Sequence, residues 1–267
     1  SRLARISASG GAARTIYRPE RRQLALPRWS PDGKGIAFLS SIWSDRGICQ
    51  GGVFLIEMRS RKVRELAPDY PGSFGCFART KKGRALFTVG HERGQGAMGR
   101  IDLRTGKVKT LWRQPVAIAE PGWPYFTISA EQRRMAIIRH GPKEARNVWC
   151  ADLETKHGSP TWRRMTNVVP RLREFALGEQ TIVNWKSRDG MTIHGILIKP
   201  VGYVKGRRYP TIVSPHGGPA SMMHNGLNIT LVCGQLLAVL GYAVFLPNFR
   251  GSTGYGLSFA EANVGDM

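Results

Sequence analysis

With 267 residues the chain has room for one large domain or two smaller ones, and no apolar run nears the ~18 residues of a membrane-spanning helix. A formal net charge of +22 invites a polyanionic partner. Yet Lys and Arg come in ones and twos, as in "ERRQ", "RSRKVR", "TKKGR" and "TWRRMT", not as a stripe on one element, so no nucleic-acid role is expected. Cys49, Cys76, Cys150 and Cys233 form no C-x-x-C pair, so free buried thiols are expected, with no metal or cofactor. The opening segment has no apolar core of signal-peptide length. The compartment stays open, with the cytoplasm favoured and the periplasm or secretion not excluded.

In chain order, the first signal is a repeat. "ARISASGGAARTIY" from Ala4 aligns without gaps with "GRIDLRTGKVKTLW" from Gly99, "FLIEMRSRKVREL" from Phe54 fits the same template, and "CADLETKHGSPTWRRM" from Cys150 keeps its Asp-Leu-x-Thr. At the acidic position, Ser7, Glu57, Asp102 and Asp152 are 50, 45 and 50 residues apart. A second element keeps step: an aromatic, a polar turn and an apolar strand recur from Pro27, Gly75 and Pro124, with Trp29, Phe77 and Phe126 spaced by 48 and 49 residues. Short β-runs joined by turns at a period of about 40 to 50 residues predict four-stranded propeller blades. The expectation is three blades and the tail of another. Trp112, Trp123, Trp149 and Trp162 are read as packing between blades.

After Pro170 the period stops. "TIVNWKSRDGMTIHGILIKP" predicts a hairpin turning at Arg188-Asp189-Gly190. "YPTIVSP" follows as a strand, "HGGP" (216–219) as a loop, "ITLVCGQLLAVLG" as a helix stopped by Gly241, "YAVFLPN" as a buried strand, "FRGSTGYG" as a Gly-rich loop and "LSFAEANVGDM" as the start of a helix. This alternation predicts a largely parallel, covered sheet. The expected division is therefore 1–175, a partial β-propeller of about three to four blades, and 176–267, the N-terminal part of an α/β domain.

The set "WKSRDG" (185–190), "YPTIVSPHGGP", "GYAVFLPNFRGSTGYG" and "GD" (265–266) resembles the prolyl oligopeptidase family of serine peptidases, on its acylaminoacyl-peptidase-like and dipeptidyl-peptidase-like side. The resemblance covers essentially the whole chain. It implies a propeller followed by an α/β-hydrolase domain, and hydrolysis of short peptides through an acyl-enzyme. It also implies that Gly218 supplies an oxyanion-hole N–H, with Gly217 as the alternative. His216 then orients the loop, and Pro219, having no N–H, bounds the candidates. Arg250 has two readings, an anchor of its loop or a substrate contact.

No serine sits in G-x-S-x-G. The nearest, Ser73 in "PGSFG" and Ser258 in "GLSFA", lack the strand-to-helix elbow. In the family the Ser, Asp and His all lie downstream of the R-G-S-x-G-Y-G segment, so the resemblance makes this chain an internal fragment, inactive by itself. Two other readings are a noncatalytic propeller that binds a partner and keeps a hydrolase remnant, and a carboxylesterase-like hydrolase. The expected partner of the intact protein is a short peptide, with no nucleic acid and no membrane.

Overall fold

The computed structural model describes residues 1–43, 50–118, 125–153, 159–218, 220–229 and 234–265. An antiparallel hairpin, β1 (Leu3–Ser7) and β2 (Gly10–Tyr17), comes first. Two four-stranded antiparallel meanders follow: β3 (Gln23–Trp29), β4 (Gly35–Ser41), β5 (Gly52–Glu57) and β6 (Val63–Leu66), then β7 (Gly72–Arg79), β8 (Ala85–Glu92), β9 (Gln95–Asp102) and β10 (Val108–Gln114). In the next sheet β11 (Ala117–Ile118) and β12 (Phe126–Ile128) both pair with β13 (Arg134–His140), which continues into β14 (Asn147–Asp152) and β15 (Thr161–Arg164). Among the described residues no sheet closes on itself.

The repeat has a hydrogen-bonded cause. In the first turn Ser30, Thr80 and Ser129 donate their N–H to the carbonyls of Gly35, Ala85 and Arg134 at 2.8, 2.9 and 2.9 Å. In the second turn the N–H groups of Glu57 and Asp102 reach Lys62 O and Lys107 O, both at 3.0 Å. The residue after the acidic position then ties the two turns together: Met58, Leu103 and Leu153 donate to Lys34 O, Arg84 O and Arg133 O at 2.8, 2.9 and 2.7 Å. The two sequence features share one period because each pair of turns is one bonded unit.

Apolar strand faces pack sheet on sheet. Leu39, Val53 and Leu66 of the first meander meet Phe74, Phe77, Leu86 and Ile101 of the second. Cys76, Phe87, Val89 and Met98 meet Ile118, Met135 and Ile137 of the sheet that follows. Trp112 and Trp162 close that second seam with ring centroids 5.4 Å apart, and Trp149 packs against it under the Arg139 guanidinium. Trp123 lies outside the described residues, as do Cys49 and Cys233. Cys76 and Cys150 are free thiols.

A 3₁₀ turn (Pro170–Glu174) leads into the last sheet: β16 (Gln180–Lys186), β17 (Thr192–Ile198), β18 (Thr211–Val213) and β19 (Ala243–Asn248), in spatial order β16-β17-β19-β18. The expected largely parallel sheet is corrected here. β16/β17 and β17/β19 are antiparallel, and only β18/β19 is parallel. The tight turn at 187–190 forces the first pair to be antiparallel, whereas a helical crossover separates β18 from β19. That crossover contains α1 (Gly234–Val239), shorter than the predicted 229–241 span, of which 230–233 lie outside the described residues. Ala238 of α1 packs on Ile196, Ile198, Val244 and Leu246. α2 (Leu257–Glu261) follows the Gly-rich loop. No helix among the described residues is long and apolar enough to cross a membrane.

Gln132 and Arg61 both hold a left-handed backbone, each at φ 60°. Gln132 also clamps two sheets, accepting from Lys81 N–H at 2.7 Å and donating to Arg79 O at 2.8 Å. Replacing either residue by Gly relieves the same backbone strain, so the difference isolates the clamp. Gln132→Gly is expected to be less stable than Arg61→Gly by about 2 kcal/mol, two hydrogen bonds at about 1 kcal/mol each, read from denaturant midpoints.

Candidate active site

The H-G-G loop follows β18, the third strand of the last sheet in chain order. His216 is the side chain that holds it. Its ring stacks on Phe249 with centroids 4.5 Å apart, Nδ1 lies 3.0 Å from Gly217 O, and Nε2 lies 2.8 Å from Ser252 Oγ. Burial holds the imidazole below its ordinary pKa, the bond to Gly217 O opposing that shift. Gly217 and Gly218 are exposed beyond it. Gly218 has φ +142°, and a Cβ there would stand 3.0 Å from Ala220 N, so the position requires glycine. No described residue accepts a hydrogen bond from Gly218 N–H. Pro219 lies outside the described residues.

The Gly-rich loop after β19 supports this one from behind. Thr253 N–H donates to Ser221 O at 2.8 Å. Asn248, buried at the end of β19, donates to Met223 O (3.0 Å) and Tyr255 Oη (2.8 Å) and accepts from Met223 N–H at 2.6 Å. Tyr255 in turn stacks on His194 with centroids 4.4 Å apart, and burial keeps its phenol protonated. Arg250 points its guanidinium at the β16/β17 turn, ion-paired with Asp189 and 3.2 Å from Ser187 Oγ.

The same two loops meet the preceding sheets. Gly254 N–H donates to Ser73 Oγ at 2.8 Å, Asn225 Nδ2 donates to Pro115 O at 2.7 Å, and Leu227 N–H donates to His140 Nδ1 at 3.0 Å. Arg22 pairs with Glu261 of α2 at 2.8 Å, and Leu257 packs with Ile36, Phe38 and Phe54. Three histidines line this junction. His91 Nδ1 lies 3.1 Å from Gln50 Oε1, and its ring centroid is 4.7 Å from that of His224. Burial is the main cause that lowers all three pKa values, with neighbouring charges adding to it. His91 falls well below its ordinary value, His224 to about 4 and His140 to about 3.

Sequence reasoning found the H-G-G loop and Arg250 but missed Ser252, Asn248 and the histidine junction. Ser252 stands inside "RGSTG", a string whose glycines signal a tight loop and nothing of the serine's partner. The three histidines are far apart in sequence and carry no local signal.

No family model matches the chain. Dipeptidyl-peptidase 5 of Porphyromonas gingivalis is 21% identical over 240 residues, 90% of this chain and 34% of that protein. A probable dipeptidyl-peptidase 5 of Emericella nidulans is 24% identical over 244 residues, 88% of this chain and 32% of that protein. The chain thus spans about a third of the length of the curated relatives it matches. Among solved structures, a puromycin hydrolase aligns with TM-score 0.68 at 21% identity, covering 97% of this chain and 38% of that one. The acylaminoacyl peptidase of Pyrococcus horikoshii aligns with TM-score 0.64 at 19% identity, covering 94% and 36%.

The buried histidines make stability depend on pH. Their folded-state pKa values lie below the ordinary 6.5, so below that value the unfolded chain binds more protons. Stability is expected to be level above pH 6.5 and to fall as pH drops toward 5, by up to about 1.4 kcal/mol per pH unit for each histidine. Denaturant titrations between pH 8 and 5 check this. His140→Asn is expected to flatten the slope.

Proposed function

Starting from the kinship of this chain with peptidases of the prolyl oligopeptidase family, we propose that it is a segment of a serine peptidase that cleaves short peptides through an acyl-enzyme. In this reading residues 1–175 are blades of a propeller, and 176–267 begin an α/β-hydrolase domain. The observation that carries it is the H-G-G loop after the third strand of the last sheet, with Gly218 exposed and its N–H left without an acceptor among the described residues. α/β-Hydrolases recruit one oxyanion donor from the loop at that position. A tetrahedral intermediate acquires negative charge on oxygen, and a prearranged N–H lowers its energy without reorganisation. The other donor and the Ser/His/Asp set come, in this reading, from residues outside the 267. Arg250, engaged by Asp189 and Ser187, is assigned to anchoring the hairpin turn, not to substrate.

The blade sheets press on the back of the loop through the histidine junction, which agrees with a propeller that borders the site and limits substrates to short peptides. The relatives act, by their names, on dipeptidyl, acylaminoacyl and puromycin substrates.

The test uses the longer protein that contains this chain, assayed on dipeptidyl, N-acyl-aminoacyl and aminoacyl amides with a serine-directed fluorophosphonate as inhibitor. Hydrolysis of one class, blocked by the reagent, is expected. Gly218→Ala, whose Cβ strains the φ +142° backbone and so turns the N–H away, is expected to lower kcat by a factor on the order of 100 with KM little changed, the size of the effect of losing an oxyanion donor. Hydrolysis insensitive to the reagent, or a Gly218→Ala enzyme with normal kcat, would sink the proposal.

A further inference from the structure

The Gly217 carbonyl and the Gly218 N–H belong to one peptide unit. Because that unit is planar and trans, its C=O and N–H point in opposite directions, and fixing one fixes the other. The Gly217 carbonyl is held by His216 Nδ1 at 3.0 Å. A carbonyl oxygen can only accept, so Nδ1 must carry a proton, and a neutral imidazole then leaves Nε2 bare as an acceptor. Opposite Nε2, at 2.8 Å, stands Ser252 Oγ, a hydroxyl with no solvent exposure. Ser252 is the donor.

We propose that Ser252 is a positioning residue of the oxyanion loop: its hydroxyl, donating to Nε2, selects the Nδ1–H tautomer of His216, which pins the Gly217 carbonyl and so aims the Gly218 N–H outward. The proposal rests on the assignment of Gly218 as an oxyanion donor. Two features make Ser252 fit to act this way. Its own N–H is bonded to Phe249 O at 3.0 Å, and Phe249 is the ring on which His216 stacks, so donor and imidazole are held by one short segment. The next residue, Thr253, bonds Ser221 O at 2.8 Å, so the two loops are tied on both sides of the glycines. Histidine free in water favours the opposite tautomer, so the loop geometry is selected by this contact.

The tautomer can be read directly from two-bond ¹H–¹⁵N correlations of the protein labelled with ¹⁵N-histidine. His216 is expected as Nδ1–H in the wild type, shifting toward Nε2–H in Ser252→Ala and staying Nδ1–H in Ser252→Thr. In the longer peptidase Ser252→Ala is expected to lower kcat about tenfold at unchanged KM, a fraction of the loss from removing a donor, and Ser252→Thr to restore it. A wild-type Nε2–H tautomer, or a tautomer indifferent to Ser252→Ala, overturns the positioning role. A tautomer that shifts as expected while kcat stays normal overturns instead the assignment of Gly218 on which it rests. Should Ser252→Ala fail to fold, the wild-type tautomer and Ser252→Cys, a weaker donor of the same shape, decide the matter.

Discussion

The approach of the Gly-rich loop to the edge of the second meander governs the arrangement of everything near the site. Gly254 reaches Ser73 Oγ with its N–H, and the N–H of Gly94 at the β8/β9 turn reaches Gly254 O at 3.3 Å. A Cβ at Gly254 would stand 2.7 Å from Met222 Sδ, and φ there is +89°, so no other residue meets both demands. Backbone against backbone at this range brings Thr253 to Ser221 and Ser252 to His216. The H-G-G loop is thus held by a segment that is itself held by the preceding sheets.

Burial at this junction disfavours the charged forms of the groups it contains. His91 and His140 are buried and held neutral, and the amides of Gln50, Asn225 and Gln180 supply further hydrogen bonds. Neutral donors and acceptors satisfy the buried backbone without the desolvation cost of an ion. The ion pair that does join α2 to the first meander, Arg22 with Glu261, lies where both side chains keep part of their solvent contact.

Much of the fold was legible because it is local. Each turn of the repeat is encoded within a few residues, as in Ser-Pro-Asp-Gly at 30–33 for the first and Asp-Leu-Arg-Thr-Gly at 102–106 for the second, and the hairpin at 187–190 by Ser-Arg-Asp-Gly. The antiparallel pairing of β17 with β19 was not, because a short apolar strand reads the same in a parallel as in an antiparallel sheet. For the candidate site, Gly217, Gly218 and Arg250 stand in short motifs. Ser252 and His216 are 36 residues apart and the His140–Leu227 contact spans 87, so their meeting depends on how the sheets dock. Gln132 shows the same limit in the blades. A left-handed position that glycine fills in the other two copies holds a glutamine there, because its amide reaches the neighbouring sheet.

Of the cations behind the charge of +22, Arg146 acts on the histidine junction, adding to the burial that lowers His140 and His224. Other Arg and Lys stand on the outer strands and turns of the two meanders and of the sheet that follows them, at Arg59, Arg61, Lys62, Arg104, Lys109, Arg163 and Arg164, all exposed. An outer strand with unpaired backbone groups invites pairing with another chain, and long cations along it oppose that. Charge at those positions is screened over about 10 Å at moderate salt. The H-G-G loop is shaped by hydrogen bonds and close packing, and its geometry depends on tautomer and backbone direction more than on the field of the surface.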